Sequence, residues 1–373
     1  MKDILFFISH QPNPRFVKQI NFLAKNHTVT LVYFHRETLA TLDDSIAKNV
    51  IRHNLGGLPN ASQAFKRIWV YIKAIRQIRK ILSNSQFNVA LVNNIDVIIL
   101  YLMASFKFGK KKHKPKLTIE ISDLREFVFA DSFMSKRMRS LEKYLYTKHI
   151  DKLIVTSKKY YSYHFEKFFK KEVFVLENKM LSTELQHDTT IQKQQTEKTV
   201  IGVVGLLLRK DEYIKLFETY KNHPNVDIHI HGKGQYENVV KEYAANYDNI
   251  TYFGPYNMFT DAQRIYNSVD IIYLVYDIDQ TSLNNRLALP NKLYECMYYK
   301  VPILCSKQTY LEEIVMDLGI GTSVNYKEPN ALEEAVSYLT QNTDRLQNNF
   351  SSLPEKMYFG DEDYEALESF LAN

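Results

Sequence analysis

The sequence predicts an α/β protein made of two doubly wound, parallel-sheet domains, and three observations carry that expectation. Short apolar runs rich in β-formers alternate with stretches of helical spacing, the order in which parallel strands are joined by crossover helices. The alternation halts in a polar tract, Ser182 to Lys198, and then restarts. The length, 373 residues, suits two domains of ordinary size.

In the first half Ile4 to Ser9, Thr28 to Phe34, Val89 to Asn93, Leu117 to Ile121, Lys152 to Thr156 and Val173 to Leu176 read as strands. Arg15 to Lys25, Ser62 to Leu82, Met134 to Tyr146 and Lys158 to Phe169 have helical spacing. The opening MKDILFFISH has too short an apolar core for a secretory signal and reads as the first strand. The longest apolar run, Val97 to Ala104, falls well short of a bilayer span. After the tract, Thr199 to Val204 is a strand ending at Gly205, followed by a helix around Glu212 to Tyr220 and a strand at Val226 to His231. Ile250 to Phe253, Ile271 to Tyr276 and Val301 to Ser306 continue the strands, and Pro290 to Tyr299 is a helix. The expected organisation is a first domain over 1–181, a linker over 182–198 and a second domain over 199–358. A C-terminal helix lies within 359–373, and its docking site is left open.

With 45% hydrophobic and 24% charged residues the chain is globular, which excludes disordered and collagen-like classes. Its two cysteines, Cys296 and Cys305, provide neither a disulfide framework nor a four-ligand metal site, so a reducing cytoplasm is expected. Charge is distributed unevenly. Residues 1–178 hold 31 Lys and Arg against 14 Asp and Glu, and the remainder 17 against 28. The basic half is expected to meet an anionic partner: a membrane surface, a phosphate-bearing acceptor or nucleic acid. The charge gathers on Phe65 to Leu82 (Lys66, Arg67, Lys73, Arg76, Arg79 and Lys80), on Lys107 to Lys116, and on Lys158 to Lys171 with its interleaved aromatics. Basic faces mixed with Trp69, Tyr71 and Ile suit an anionic membrane, and no nucleic-acid motif accompanies them. The expected location is therefore the cytoplasmic face of the membrane, peripherally bound.

The most informative segment is ALPNKLYECMYYKVPILCS, Ala288 to Ser306. Pro290 suits the first turn of a helix and Asn291 is a capping residue, so the helix start presents free amides and a partial positive charge to a phosphate. Lys292 adds a full charge. Glu295, four residues after Asn291, shares its helical face and is placed to accept from two adjacent ribose hydroxyls. The alternative is a capped helix with an exposed first-turn glutamate. The second half opens with Val200 to Gly205 and then Arg209-Lys210, a glycine turn followed by cations. Gly232-Lys233-Gly234 and Phe253-Gly254-Pro255-Tyr256 end strands at the same sheet edge, where open α/β sheets bind ligands. Asp277-Ile278-Asp279 has the spacing of a metal-binding Asp-x-Asp, which two aspartates also reach by chance, and Gly56-Gly57 and Gly319-Ile320-Gly321 read as short turns.

On these residues the sequence resembles the family 4 retaining glycosyltransferases of GT-B fold, in the form found among bacterial capsule, exopolysaccharide and O-antigen enzymes. The signposts are Ile4 to Pro12, Glu120 to Leu124, Val155-Thr156-Ser157, Glu177-Asn178, Gly202 to Arg209, Ile230 to Gly234 and, most specifically, Leu289 to Glu295 with Val301-Pro302-Ile303. The resemblance implies two Rossmann-like domains facing a cleft. It also implies transfer of a sugar from a nucleoside diphosphate to a lipid-linked or oligosaccharide acceptor, with the acceptor attacking from the face the nucleotide leaves. Arg209, Lys292 and the helix amides would stabilise the leaving diphosphate without a metal or other cofactor. Asp123 would orient the acceptor hydroxyl or donor sugar, unless it caps the following helix. His10, Gly205, Gly232, Gly234, Tyr256, Pro290, Asn291 and Glu295 would line the substrates. One departure stands out: the family's first glutamate falls at Leu287, and Asn284, Asn285 and Arg286 are the polar neighbours that remain. Two other functions keep the same fold: a nucleotide-binding partner without turnover, and a nucleotide-sugar 2-epimerase.

Overall fold

A computed structural model describes residues 1–36, 43–59, 63–106, 114–184 and 197–372. The chain forms two units, Met1–Glu177 with Glu362–Asn373, and Asn178–Asp361. The first unit holds a seven-stranded sheet: β1 (Asp3–Ile8), β2 (Thr28–His35), β3 (Ile51–Gly57), β4 (Val89–Val92), β5 (Lys116–Ile121), β6 (Lys152–Val155) and β7 (Glu172–Val175). Every pairing is parallel, in the order β3-β2-β1-β4-β5-β6-β7. Its helices are α1 (Pro14–Leu23), α2 (Ala64–Asn84), α3 (Ile95–Ser105), α4 (Phe133–His149) and α5 (Lys158–Tyr163). Parallel strands require such crossovers, and the reversal of strand order between β1 and β4 opens a crevice at their carboxyl ends.

The sequence reading passes over β3 and α3. Gly56 and Gly57 end β3 rather than forming a separate turn, and Val97 to Ala104 lies inside α3, buried on most sides. Of the basic clusters, residues 107–113 lie outside the described residues. The aromatics near Lys158 to Lys171 include core residues: Tyr160, Phe165 and Phe169 are buried.

The second unit has six parallel strands: β8 (Thr199–Leu206), β9 (Val226–Lys233), β10 (Ile250–Gly254), β11 (Ile271–Leu274), β12 (Ile303–Ser306) and β13 (Gly321–Val324). Their order is β10-β9-β8-β11-β12-β13, with the reversal between β8 and β11. Helices α6 (Asp211–Tyr220), α7 (Glu237–Asn246), α8 (Met258–Asn267), α9 (Leu283–Leu287), α10 (Asn291–Tyr299), α11 (Tyr310–Leu318), α12 (Ala331–Gln341) and α13 (Thr343–Ser351) complete it. Two apolar layers cover the sheet. Ile201 and Val203 of β8 join Leu216 and Phe217 of α6 on one face, whereas Val200 and Val204 join Tyr266 of α8 and Leu293 of α10 on the other. This alternation follows from the period of two along a strand. Gly202 has no side chain because a Cβ there would lie 2.9 Å from Val269 Cγ1.

The chain passes into the second unit at Asn178, ahead of the tract read as a linker, of which residues 185–196 lie outside the described residues. Met180 accounts for this, since its amide donates to Tyr358 O at 3.1 Å and its carbonyl accepts from Gly360 N at 2.8 Å. The last helix, α14 (Asp361–Ala372), packs in the first unit. Leu367 and Leu371 are buried, Phe370 meets Phe174 at 5.2 Å, and Lys2 and Lys152 donate to the carbonyls of Ala372 and Phe370. Two ammonium groups at a helix C-terminus answer its unpaired carbonyls and its dipole.

Candidate active site

In the second unit the carboxyl ends of β8 and β9 touch backbone to backbone. Gly205 pairs with Gly232 in the parallel register, both with positive φ (126° and 152°). A Cβ on Gly232 would lie 1.8 Å from Gly205 O, and one on Gly234 would lie 2.5 Å from Leu207 O. Only glycine fits such an approach. Tyr252 OH donates to Gly232 O at 2.8 Å and holds the turn.

Helix α10 points its N-terminus at this turn. The sequence reading makes Asn291 the cap, whereas the helix begins at Asn291 and Pro290 occupies the N-cap position with no side-chain bond. Proline pre-sets the extended entry (φ −72°), and the first amides are left without a side-chain cap. Asn291 Oδ1 instead accepts from Asn178 Nδ2 at 2.8 Å. Lys292 folds back toward β8: its Cε lies 3.6 Å from where a Gly205 Cβ would stand, so the missing side chain makes room for the cation. Its ammonium lies 5.6 Å from the Tyr256 ring centroid and donates to Glu295 Oε2 at 2.8 Å. Burial pushes the Lys292 pKa down, but Glu295 and Tyr256 outweigh it and raise it overall.

Glu295 is buried, 3% exposed, instead of lying open on the helix face. Tyr266 OH also donates to its Oε2, and the Tyr266 ring stacks on Tyr299 at 4.9 Å. At the β8/β11 reversal, the Arg209 guanidinium lies over the Tyr276 ring, 3.9 Å from its centroid. Tyr276 is fixed in turn by Ser306 Oγ, which accepts from its amide at 2.5 Å. Gly205, Gly232, Gly234, Tyr256, Pro290, Asn291, Lys292, Glu295 and Arg209 therefore belong to one sheet edge, at the strand ends around the β8/β11 reversal. Tyr266, Tyr276 and Ser306, which hold the charged groups, are not singled out by sequence because each comes from a distant segment.

Other candidates have local duties. Asn285 N donates to Ser282 Oγ at 3.2 Å and its Nδ2 to Thr281 Oγ1 at 3.0 Å, while Arg286 donates to Ile278 O. These bonds hold the loop before α10, and Leu287 closes α9. Asp277 and Asp279 share Lys327, whose ammonium donates to them at 2.7 and 2.8 Å. In the first unit, Asp123 stands at the carboxyl end of β5, and no side chain caps the 3-10 turn Glu126–Phe129 that follows. It is exposed by area, yet chain packed around it raises its pKa, with Arg15 opposing. His10 Nδ1 lies 2.6 Å from Gln11 O, and burial lowers its pKa, so the ring is neutral at pH 7.

A sheet edge with a glycine-lined turn, two cations and an uncapped helix start has the chemistry to hold an anion on a doubly wound domain. Residues 186–353 match the family of glycosyl transferases group 1. This match places a glycosyl transferases group 1 domain in the second unit, and the whole chain has the GT-B fold. It is similar over its whole length to the sucrose-phosphate synthase of Thermosynechococcus elongatus, at 14% identity with 98% of that chain covered (TM-score 0.70). HepE of Anabaena in complex with UDP and glucose is similar over 100% of both chains (12% identity, TM-score 0.68). So is the UDP-GlcNAc 2-epimerase of Neisseria meningitidis (14%, TM-score 0.63). At these identities the likeness shows the fold. A comparison with curated proteins finds no match.

Proposed function

We propose that the chain transfers a sugar, with retention, from a nucleoside diphosphate held by the second unit to a lipid-linked acceptor of bacterial surface polysaccharide bound by the first. The observation that carries the donor reading is the Gly205–Gly232 contact with Lys292 and the open start of α10 beside it. There the diphosphate meets backbone amides, a helix dipole and an ammonium, and the ribose lies toward Glu295. Arg209, stacked over Tyr276, is already placed to meet the developing charge. The leaving phosphate oxygen takes the acceptor proton, and no separate base is required. HepE, crystallised with UDP, supports the nucleotide class.

Lys292→Gln and Arg209→Gln are each expected to lower turnover by roughly 2 to 4 kcal/mol of transition-state stabilisation, about thirtyfold to a thousandfold. The assay is release of free nucleoside diphosphate with UDP-, GDP- and dTDP-sugars. Transfer needs an acceptor, a 2-epimerase does not, and a partner protein without turnover releases nothing. Variants that keep wild-type kcat would remove these cations from the mechanism.

Turnover is expected to persist in EDTA, because Arg209, Lys292 and the α10 amides supply the compensating charge and Asp277 and Asp279 already engage Lys327. Loss of transfer on chelation, restored by manganese, would make those aspartates ligands instead.

Among the described residues no helix is long and apolar enough to cross a membrane. Peripheral binding is supported by α2, whose outer face exposes Phe65, Ile68, Trp69 and Ile72 together with Lys66, Lys73, Arg76 and Lys80. Arg67 and Arg79 are engaged instead within the unit: Arg67 donates to Tyr71 OH and Arg79 to the carbonyls of Met103 and Ala104. Each exposed cation is worth about 1 kcal/mol near an anionic leaflet and is screened by salt. Co-sedimentation with anionic vesicles is expected at low salt and is expected to fall when Lys66, Lys73, Arg76 and Lys80 become Gln. Equal sedimentation with neutral vesicles would contradict the electrostatic part.

A further inference from the structure

The carboxyl edge of the first unit's sheet carries a second concentration of positive charge. It lies at the β1/β4 reversal, where the two strand ends are tied together. Ser9 N donates to Asn93 Oδ1 at 3.1 Å, and Asn94 Nδ2 donates to Ser9 Oγ at 2.6 Å. Around this join, guanidinium groups from three segments gather near one carboxylate. Arg125, past the end of β5, donates to Asn94 Oδ1 at 2.5 Å and to Asp96 Oδ1 at 3.1 Å. Arg67 of α2 donates to Tyr71 OH at 2.8 Å and lies 3.6 Å from Asp96 Oδ2, which also accepts from Tyr71 OH at 2.9 Å. Arg36 follows β2, and its backbone is clamped by Gln11, whose Nε2 donates to Arg36 O at 2.9 Å and whose Oε1 accepts from Arg36 N at 2.8 Å.

The Arg36 side chain lies within electrostatic range of Arg67, Asp96, Tyr71 and Arg125, and it makes no hydrogen bond among the described residues. Arg67 Nε is buried and has no partner among the described residues. Burial and the repulsion of Arg67 both lower the Arg36 pKa. Three guanidinium groups gather at the Asp96 carboxylate, while Asp123 and Glu142 line the small pocket behind Arg125. The guanidinium groups on the Asp96 side suit a phosphate group, which carries about −1.5 to −2 near neutral pH, better than a carboxylate. Guanidinium forks fit its oxygens bidentately.

We propose that Arg36, Arg67 and Arg125 bind a phosphate or diphosphate group of the acceptor. This rests on the reading of the first unit as the acceptor side, and it assigns the acceptor a chemical class. The phosphate has two possible sources, the bridge between lipid and sugar or an ester on the sugar ring.

The test is calorimetric titration of the full chain with inorganic pyrophosphate, in a Lys292→Gln, Arg209→Gln background that disables the proposed donor cations. Pyrophosphate is expected to bind, and adding Arg36→Gln or Arg125→Gln is expected to weaken it at least tenfold. Arg36→Gln breaks no bond in the network, so its thermal midpoint is expected to stay put. Arg36→Lys, which keeps charge but loses the fork, is expected to fall between. Unchanged pyrophosphate affinity in both Gln variants would overturn the proposal. Competition by a prenyl diphosphate at lower concentration than a hexose phosphate indicates the lipid bridge, and the reverse order the sugar ester; competition by neither overturns the acceptor assignment. UDP titrated into Arg36→Gln alone is expected to bind as to wild type. Absence of UDP binding to both would sink the donor reading, while the pyrophosphate result still decides the arginine site.

Discussion

Glu295→Ala is expected to destabilise the second unit by about 3 kcal/mol and to weaken nucleoside diphosphate binding as well. The Glu295 side chain is 5% exposed and its Oε2 accepts from both Lys292 and Tyr266. Alanine leaves the Lys292 ammonium, itself only 15% exposed, and the Tyr266 hydroxyl without their acceptor. A charge left unpaired in the interior costs far more than a surface ion pair is worth. Glu295→Gln keeps an acceptor of the same shape, so it is expected to lose less stability while still losing much of the nucleotide affinity. Urea unfolding and UDP titration on the two variants separate these effects. A loss below about 1 kcal/mol for alanine would mean that the pair behaves as a surface contact.

The second large effect is Gly232→Ala, expected to cost more than about 3 kcal/mol and to abolish donor binding. Its Cβ would stand 1.8 Å from Gly205 O, at a φ of 152° that disfavours any side chain. The strand ends would have to separate, moving the turn against which Lys292 lies. Gly254→Ala is the control: its φ is also positive, 85°, but nothing lies within 4 Å of the added Cβ. Only backbone strain remains there, about 1 to 2 kcal/mol. Similar losses at both positions would show that conformation, and not the backbone contact, makes Gly232 a glycine.

The elements most legible in the sequence are the central strands, because a strand buried on both faces is a continuous apolar run. Edge strand β3 is not legible in that way: Arg52, His53 and Asn54 interrupt its pattern, most of it is exposed, and its pairing with β2 makes it a strand. Helix α3 hides for the opposite reason. Its apolar run is so uniform, with Val97, Ile98, Leu100, Tyr101 and Ala104 buried, that no helical period stands out.

The candidate site divides along similar lines. Pro290 to Glu295 is readable because cap, cation and carboxylate occupy consecutive turns of one helix. The supports are not: Tyr266 reaches Glu295 from α8, Tyr276 lies under Arg209 from the end of β11, and Ser306 holds Tyr276 from β12. The basic character of α2 is visible as composition. Its division into an outward face and an inward Arg67 depends on where Tyr71 and Asp96 stand.

In the proposed mechanism the nucleotide occupies the sheet edge where Gly205, Gly232 and the start of α10 meet. Hydrogen exchange of the full chain, with and without UDP, GDP or dTDP, reads it amide by amide. With the nucleotide that binds, the expected result is slowed exchange at 205–209, 232–236 and 291–293. Measurable nucleotide binding with no slowing in those three segments would contradict it.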